Sequence, residues 1–166
     1  MGRLAFYLIV VAAVTGSTAG WAFASGAVDW VRSLTLPGWM PPINILAWVW
    51  IAKALVMTYA LWATERFGKP GWRWIALGVE ISLFLGSLAW IVGFLMMCDV
   101  TLGFIAVAVS WVISIVAVWA AGKASRLTGL ALLPVLAWNC VLLVLTFEIM
   151  RLNTGAIGRL SDLNFG

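Results

Sequence analysis

The sequence predicts an all-α integral membrane protein in which residues 1–166 form a single bundle of five transmembrane helices. Of the 166 residues, 64% are hydrophobic and only 10% are charged, whereas a soluble domain has about 45–50% apolar and about 25% charged residues. The apolar residues fall into five continuous stretches that short polar or proline-containing segments separate. This composition excludes a soluble enzyme domain, a disordered chain and a nucleic-acid-binding protein.

Each apolar stretch is long enough to cross a bilayer as a helix. A transmembrane helix needs about 20 apolar residues, with a rise of about 1.5 Å per residue. A membrane β-strand is about half as long and alternates between apolar and polar residues. The stretches in this chain are continuously apolar, which argues against strands. The predicted spans are 4–24, 43–63, 74–97, 100–121 and 127–150.

The first stretch has two interpretations. Arg3, the apolar run behind it and the triplet Ala22-Phe23-Ala24 resemble a cleavable signal peptide. The run is longer than the apolar part of such a peptide and has Trp21 near its end. We therefore favour a retained transmembrane span.

The charge of the connections predicts the orientation. The first connection, 25–42, is the longest, Lys69-Pro70-Gly71 interrupts the second, and Cys98-Asp99 forms a tight third turn. Six cations at the N-terminus and in the second and fourth connections oppose three on the other side: Arg3, Arg66, Lys69, Arg73, Lys123 and Arg126 against Arg32, Arg151 and Arg159. Because cytoplasmic loops are enriched in Lys and Arg, we expect a cytoplasmic N-terminus and an outer C-terminus. Apolar helical spans favour a bacterial plasma (inner) membrane.

Three charged residues fall within or near the spans. Inserting a charged side chain into the middle of a membrane costs about 2.5–3.5 kcal/mol of free energy. Glu148 precedes Arg151 by three residues, which predicts a local ion pair. Glu80 is near enough to the cytoplasmic end of its span to reach the interface. Lys53 is close to the middle of the second span. We expect it to pair with a carboxylate of a neighbouring helix or to line a hydrated cavity.

Small residues form a stripe along one face of the third span: Ser82, Gly86, Ala89 and Gly93. Such spacing lets two helices approach closely within a membrane. The stripe favours a homodimer seam, and packing against another helix of the same chain is the alternative.

The chain has twelve tryptophans and no histidine. Without histidine there is no His-ligated haem, no typical zinc site and no Ser-His or Cys-His nucleophile pair. We therefore expect no metal, no resident cofactor and no catalytic residue. Trp50, Trp90 and Trp138 lie at comparable depth near the outer ends of their spans, where an indole faces lipid or lines a cavity between helices.

Three segments are similar to the motifs of a known family. The first connection reads W-V-R-S-L-T-L-P-G-W-M-P-P over 30–42, and the fifth span reads L-P-V-L-A-W over 133–138 and F-E-I-M-R-L-N over 147–153. In these motifs, in length and in tryptophan content, the chain resembles the tryptophan-rich sensory protein/translocator protein (TspO) family over essentially its whole length.

The resemblance implies a TspO-like bundle of five helices, commonly dimeric, whose first connection closes over a cavity. Family members bind porphyrins and related tetrapyrroles there, and some bind sterols or synthetic ligands. The implied ligand-binding residues are Trp30, Trp39, Pro42, Trp50, Trp90, Phe94, Phe104 and Trp138. Arg32 is expected to pair with Asp29, with a ligand carboxylate as the alternative. The absence of histidine favours a free-base porphyrin over haem.

The chain departs from the family at several positions of that cavity. The Leu-Tyr pair of the second span falls on Lys53-Ala54, Val135 replaces a tyrosine, and Thr146 replaces an asparagine. These changes mark a divergent member and affect ligand preference above all.

Three functions are compatible with these features. The first is a non-catalytic membrane receptor, sensor or carrier of porphyrins or similar apolar ligands. The second is a light-dependent porphyrin-degrading enzyme in which Trp50, Trp90 and Trp138 donate electrons. The third is a small transporter that uses Lys53 with Glu80 or Glu148 as a charge relay. The expected partners are the apolar ligand, membrane lipid and a second copy of the chain, and no nucleic acid.

Overall fold

The structure, a computed structural model, describes residues 2–160, with side chains for residues 3–154 except 19, 22 and 23. Within this part it consists of helices and connections, with no strand. The elements are α1 Gly2–Ala24, α2 Ala27–Ser33, α3 Ile43–Phe67, α4 Pro70–Trp90, a π-helical segment Ile91–Met96, α5 Val100–Ala124 and α6 Arg126–Leu160. The prediction of an all-α fold is confirmed.

Within the described residues, four helices are long and apolar enough to cross a membrane: α3, α4 with the π-helical segment, α5, and α6 as far as Thr154. The chain is therefore an integral membrane protein, and these helices coincide with the last four predicted spans. In α1 the apolar stretch of the described residues is shorter, from Arg3 to Thr18. The structure thus establishes four candidate spans, and the predicted count of five depends on α1.

Local sequence explains where the helices end. Pro70 opens α4, a position at which the missing N–H of proline is not needed. Cys98 has a φ of 52°, which reverses the chain within the predicted tight turn. The Asp99 carboxylate then caps α5 by accepting hydrogen bonds from the backbone N–H groups of Thr101 (2.7 Å) and Leu102 (2.9 Å). The short α2 was not predicted and lies in the first connection.

Helix α5 packs along both α4 and α6. Its buried face is made of small side chains, among them Ala117, Ala120 and Ala121, so the neighbouring helices approach closely. The N–H of Lys69 donates to the carbonyl of Ala124 at 3.0 Å. The second and fourth connections therefore lie at the same end of the bundle, as the order of the spans requires.

The stripe of small residues, which runs along α4 into the π-helical segment, faces two directions. A Cβ on Gly86 would stand 2.6 Å from Oγ of Ser110, and one on Gly93 would stand 3.3 Å from the backbone of Leu102. These two glycines therefore serve packing against α5 within the chain. Ser82 and Ala89 are exposed, and only they remain for a homodimer seam.

The charged residues have the following partners. The predicted pair of Glu148 and Arg151 is present at 2.7 Å, and Arg32 pairs with Asp29 at 3.4 Å, as favoured. The expectation that Glu80 reaches the interface is wrong. It is only 3% exposed and accepts a hydrogen bond from the Thr64 hydroxyl of α3 at 2.7 Å. Arg159, one of the cations counted above, lies outside the described side chains.

Candidate functional site

A cavity of about 680 Å³ lies beneath the first connection, between α1, α2, α3, the π-helical segment and α6. Its wall is almost entirely apolar, and α3 supplies the largest share through residues between Ile43 and Thr58. The hydroxyls of Thr15 and Thr58 donate to carbonyls of their own helices, at 2.6 and 2.8 Å. The cavity thus suits an apolar occupant.

One side of the cavity is a row of stacked aromatic rings. The rings of Trp50 and Trp90 are nearly parallel, at 23°, with centroids 5.4 Å apart. Those of Trp90 and Phe94 stack at 5.0 Å and 15°. Trp30 of α2 meets Phe94 edge-on at 5.2 Å. All three stacked residues line the cavity, which gives it a flat, polarisable side.

The π-helical segment brings Ile91, Phe94 and Leu95 to the cavity wall. Such segments are rare and occur frequently at functional sites. Gly103 of α5 makes room for this arrangement, since a Cβ there would stand 2.7 Å from Cδ2 of Phe94. The missing side chain of Gly103 therefore allows Phe94 to lie flat against Trp90.

Three polar side chains recur at intervals of seven residues on one face of α6. Asn139 accepts a hydrogen bond from Lys53 Nζ at 2.9 Å, and Thr146 accepts one from Trp90 Nε1 at 3.4 Å. Asn153 binds both backbone groups of Thr35, accepting from N–H at 2.9 Å and donating to C=O at 3.0 Å. This face joins α6 to α3, to the aromatic row and to the first connection. Sequence reasoning assigned no role to Asn139 or Asn153, although their spacing in an apolar helix was a signal.

Five of the eight residues implied by the family resemblance lie at or near the cavity. Trp50, Trp90 and Phe94 line it, and Trp30 contacts Phe94. Pro42 precedes the first turn of α3, and its neighbour Ile43 lines the cavity.

The other three lie outside the cavity wall. Trp39 is half exposed. Phe104 packs against Phe147 of α6, with centroids 5.7 Å apart. Trp138 also lies outside the lining, and its buried indole N–H has no hydrogen-bond partner among the described residues.

Lys53 fits neither sequence-based expectation. It is buried, and its Nζ lies 4.8 Å from the centroid of the Trp50 ring while donating to Asn139. In the described part of the chain, no ion pair links it to Glu80, Glu148 or any other carboxylate. The charge relay therefore lacks direct contacts between its members.

The Asn153 side chain is expected to hold the first connection closed. Replacing Asn153 with alanine removes two hydrogen bonds to Thr35, worth about 0.5–1.5 kcal/mol each. We expect amide hydrogen exchange in residues 34–42 to accelerate by about tenfold or more. Hydrogen-exchange mass spectrometry measures this, with Asn44→Ala as control because Asn44 is exposed. Unchanged exchange in Asn153→Ala would show that other contacts hold the connection.

Comparison with known proteins gives consistent matches. Residues 7–152 match the TspO/MBR family. Tryptophan-rich protein TspO of Chlorobaculum tepidum is 26% identical over 140 residues, which cover 81% of this chain and 87% of that protein. Translocator protein 2 of the mouse, Mus musculus, is 30% identical over 118 residues, which cover 68% of this chain and 72% of that protein.

Proposed function

Because the chain belongs to the TspO/MBR family, we propose that it is a membrane receptor, sensor or carrier that binds porphyrins of the protoporphyrin IX type, or similar apolar ligands, beneath its first connection. The observation that supports this most is the row of Trp50, Trp90 and Phe94 along the cavity. A flat tetrapyrrole can stack on such rings. The volume of about 680 Å³ also falls within the range of about 300–1,000 Å³ typical of small-molecule sites.

The proposal includes α1 as a fifth span. Its 23 residues make a helix about 35 Å long, and it packs against α3. At its start, Arg3 forms an ion pair with Glu65, and the Tyr7 hydroxyl donates to the same carboxylate at 3.0 Å. The start of α1 therefore lies beside the end of α3, at the cation-rich end of the bundle. By the enrichment of cytoplasmic loops in Lys and Arg, this end faces the cytoplasm of a bacterial plasma membrane, and the C-terminus lies outside.

A homodimer is a further part of the proposal. Ser82 and Ala89 are exposed on α4 and lie seven residues apart, so they share one face. Small residues on a lipid-exposed face allow close contact with a helix of a second copy.

A titration with protoporphyrin IX in the dark tests the proposed function. The detergent-purified protein is expected to bind the porphyrin saturably, as followed by the porphyrin's own absorbance. Trp50→Leu removes one ring of the aromatic row and should weaken binding by about tenfold, or 1.4 kcal/mol. Trp48→Leu is the matched control, because Trp48 lies on the same helix and is 69% exposed. Non-saturable binding, or equal loss in both variants, would contradict the proposal.

Light-dependent porphyrin breakdown is the second candidate function. It is favoured by the stacked indoles of Trp50 and Trp90, which would lie against an excited ligand as electron donors. Illumination of the bound complex separates the two candidates. Loss of porphyrin absorbance in the light but not in the dark supports degradation, and stable absorbance supports binding alone.

A further inference from the structure

Lys53 is a cation in the interior of the membrane domain, and the described residues supply no counter-charge to it. It is 5% exposed, and its Nζ has two neighbours, the Asn139 amide oxygen at 2.9 Å and the face of Trp50 at 4.8 Å. An ammonium group has three N–H donors, and Asn139 is the one hydrogen-bond acceptor that the described residues supply. Burying such a charge is unfavourable unless an anion or further hydrogen bonds compensate it.

The Lys53 ammonium is adjacent to the cavity. Trp50, whose ring lies next to Nζ, lines the cavity, and so does Ala54, the residue after Lys53. On α6, Leu142 lines the cavity one helical turn beyond Asn139. Lys53 is not itself a lining residue, but its charged group lies directly beside the apolar space, next to the ring of Trp50.

We propose that Lys53 determines specificity by selecting apolar ligands that carry a carboxylate. The inference rests on the proposed function, because it assumes that an apolar ligand occupies the cavity. The apolar body of the ligand lies against the aromatic row, and its carboxylate accepts a charge-assisted hydrogen bond from a free N–H of Lys53. Such bonds are about twice as strong as those between neutral groups. Asn139 holds Nζ in position, and the ligand supplies the missing negative charge.

Paired acids and esters test this inference on the full-length protein in detergent, in the dark. Protoporphyrin IX is compared with its dimethyl ester, and oleic acid with methyl oleate. These two arms distinguish a flat tetrapyrrole acid from a lipid acid as the source of the carboxylate. We expect the wild type to bind the acid of at least one pair about tenfold or more tightly than its ester.

Two variants change the charge balance in different ways. Lys53→Met removes the cation and should remove the preference for the acid. Asn139→Asp keeps the cation but gives it a carboxylate within the protein, and it should also remove the preference. Lys123→Met is the control, because Lys123 is exposed at the end of α5, and it should keep the wild-type preference.

Each other outcome overturns the inference. Equal binding of acid and ester by the wild type would show that the cavity binds apolar ligands without distinguishing a carboxylate from a neutral ester. That result would contradict the inference but leave the proposed function intact. Equal loss of acid and ester binding in both variants would reduce Lys53 to a packing role. If the wild type binds none of the four compounds, the proposed function fails together with the inference.

Discussion

Replacing Ala54 with phenylalanine is expected to abolish ligand binding and leave the fold intact. Ala54 lines the cavity from α3, so the added phenyl ring would occupy the space in which we propose that the ligand binds. Because the ring enters an existing cavity, it should add apolar contacts without displacing neighbouring helices. We expect porphyrin affinity to fall by at least about 100-fold, equivalent to about 2.8 kcal/mol. The thermal midpoint should stay at or above that of the wild type.

Ala52→Phe is the matched control for this variant. Ala52 lies two residues away on the same helix and is exposed, so the same ring would face the surroundings of the protein. Its binding curve should overlay that of the wild type. Full affinity in Ala54→Phe would place the ligand site outside the cavity, even if the protein proved to bind porphyrins.

The positions of the spans could be predicted because the free energy of inserting a segment into a membrane is roughly the sum of the contributions of its residues. The transfer free energy of a stretch of about 20 side chains is read directly from composition, and α3 to α6 accordingly coincide with predicted spans. The seven-residue α2 was missed because a helix that short leaves no periodic pattern. Its stability comes from packing, with Ala27 and Val31 buried.

The aromatic row could be predicted in part, and the reason lies in helix rotation. Trp50, Trp90 and Trp138 were predicted to lie at comparable depth, which follows from counting along the spans. Trp50 and Trp90 do stack, whereas Trp138 lies outside the cavity lining. Predicting the direction in which a side chain points also requires a polar face on the helix, and a helix that is apolar all round offers none. The sequence therefore did not reveal that Phe104 on α5 lies against Phe147 instead of facing the cavity.

The partners of the buried polar groups depend on how far one helix is shifted along another. Thr64 contacts Glu80 only because α3 and α4 pack in one particular register. For Lys53, the alternatives derived from the sequence were a carboxylate and water, and the structure supplies a side-chain amide and an indole face. An amide on the facing helix satisfies a donor without adding a second charge. Such pairings require the three-dimensional packing and cannot be derived from residue types alone.

Replacing Gly129 of α6 with alanine is expected to destabilise the protein more than the same substitution at Gly103 or Gly122 of α5. A Cβ on Gly129 would stand 2.7 Å from Cα and 2.9 Å from N of Gly122, and 3.1 Å from the carbonyl oxygen of Val118. All three are backbone atoms, so no side-chain rotation relieves the overlap, and α5 and α6 must move apart. Overpacking of this kind costs about 1–3 kcal/mol, and more where backbones are rigid. Thermal unfolding in detergent should show a clearly lowered midpoint.

The same substitution at Gly122, the residue of α5 that Gly129 contacts, provides the control. A Cβ on Gly122 would meet no atom within 4 Å. Alanine also favours a helix over glycine by about 1 kcal/mol, so Gly122→Ala should be as stable as the wild type or slightly more stable. Equal midpoints for the two variants would mean that α5 and α6 are not in close backbone contact. A loss confined to Gly129→Ala would instead show that this backbone contact sets how closely α5 and α6 pack, in the same helix pair in which the Asn139 amide donates to the carbonyl of Ser110 at 3.5 Å.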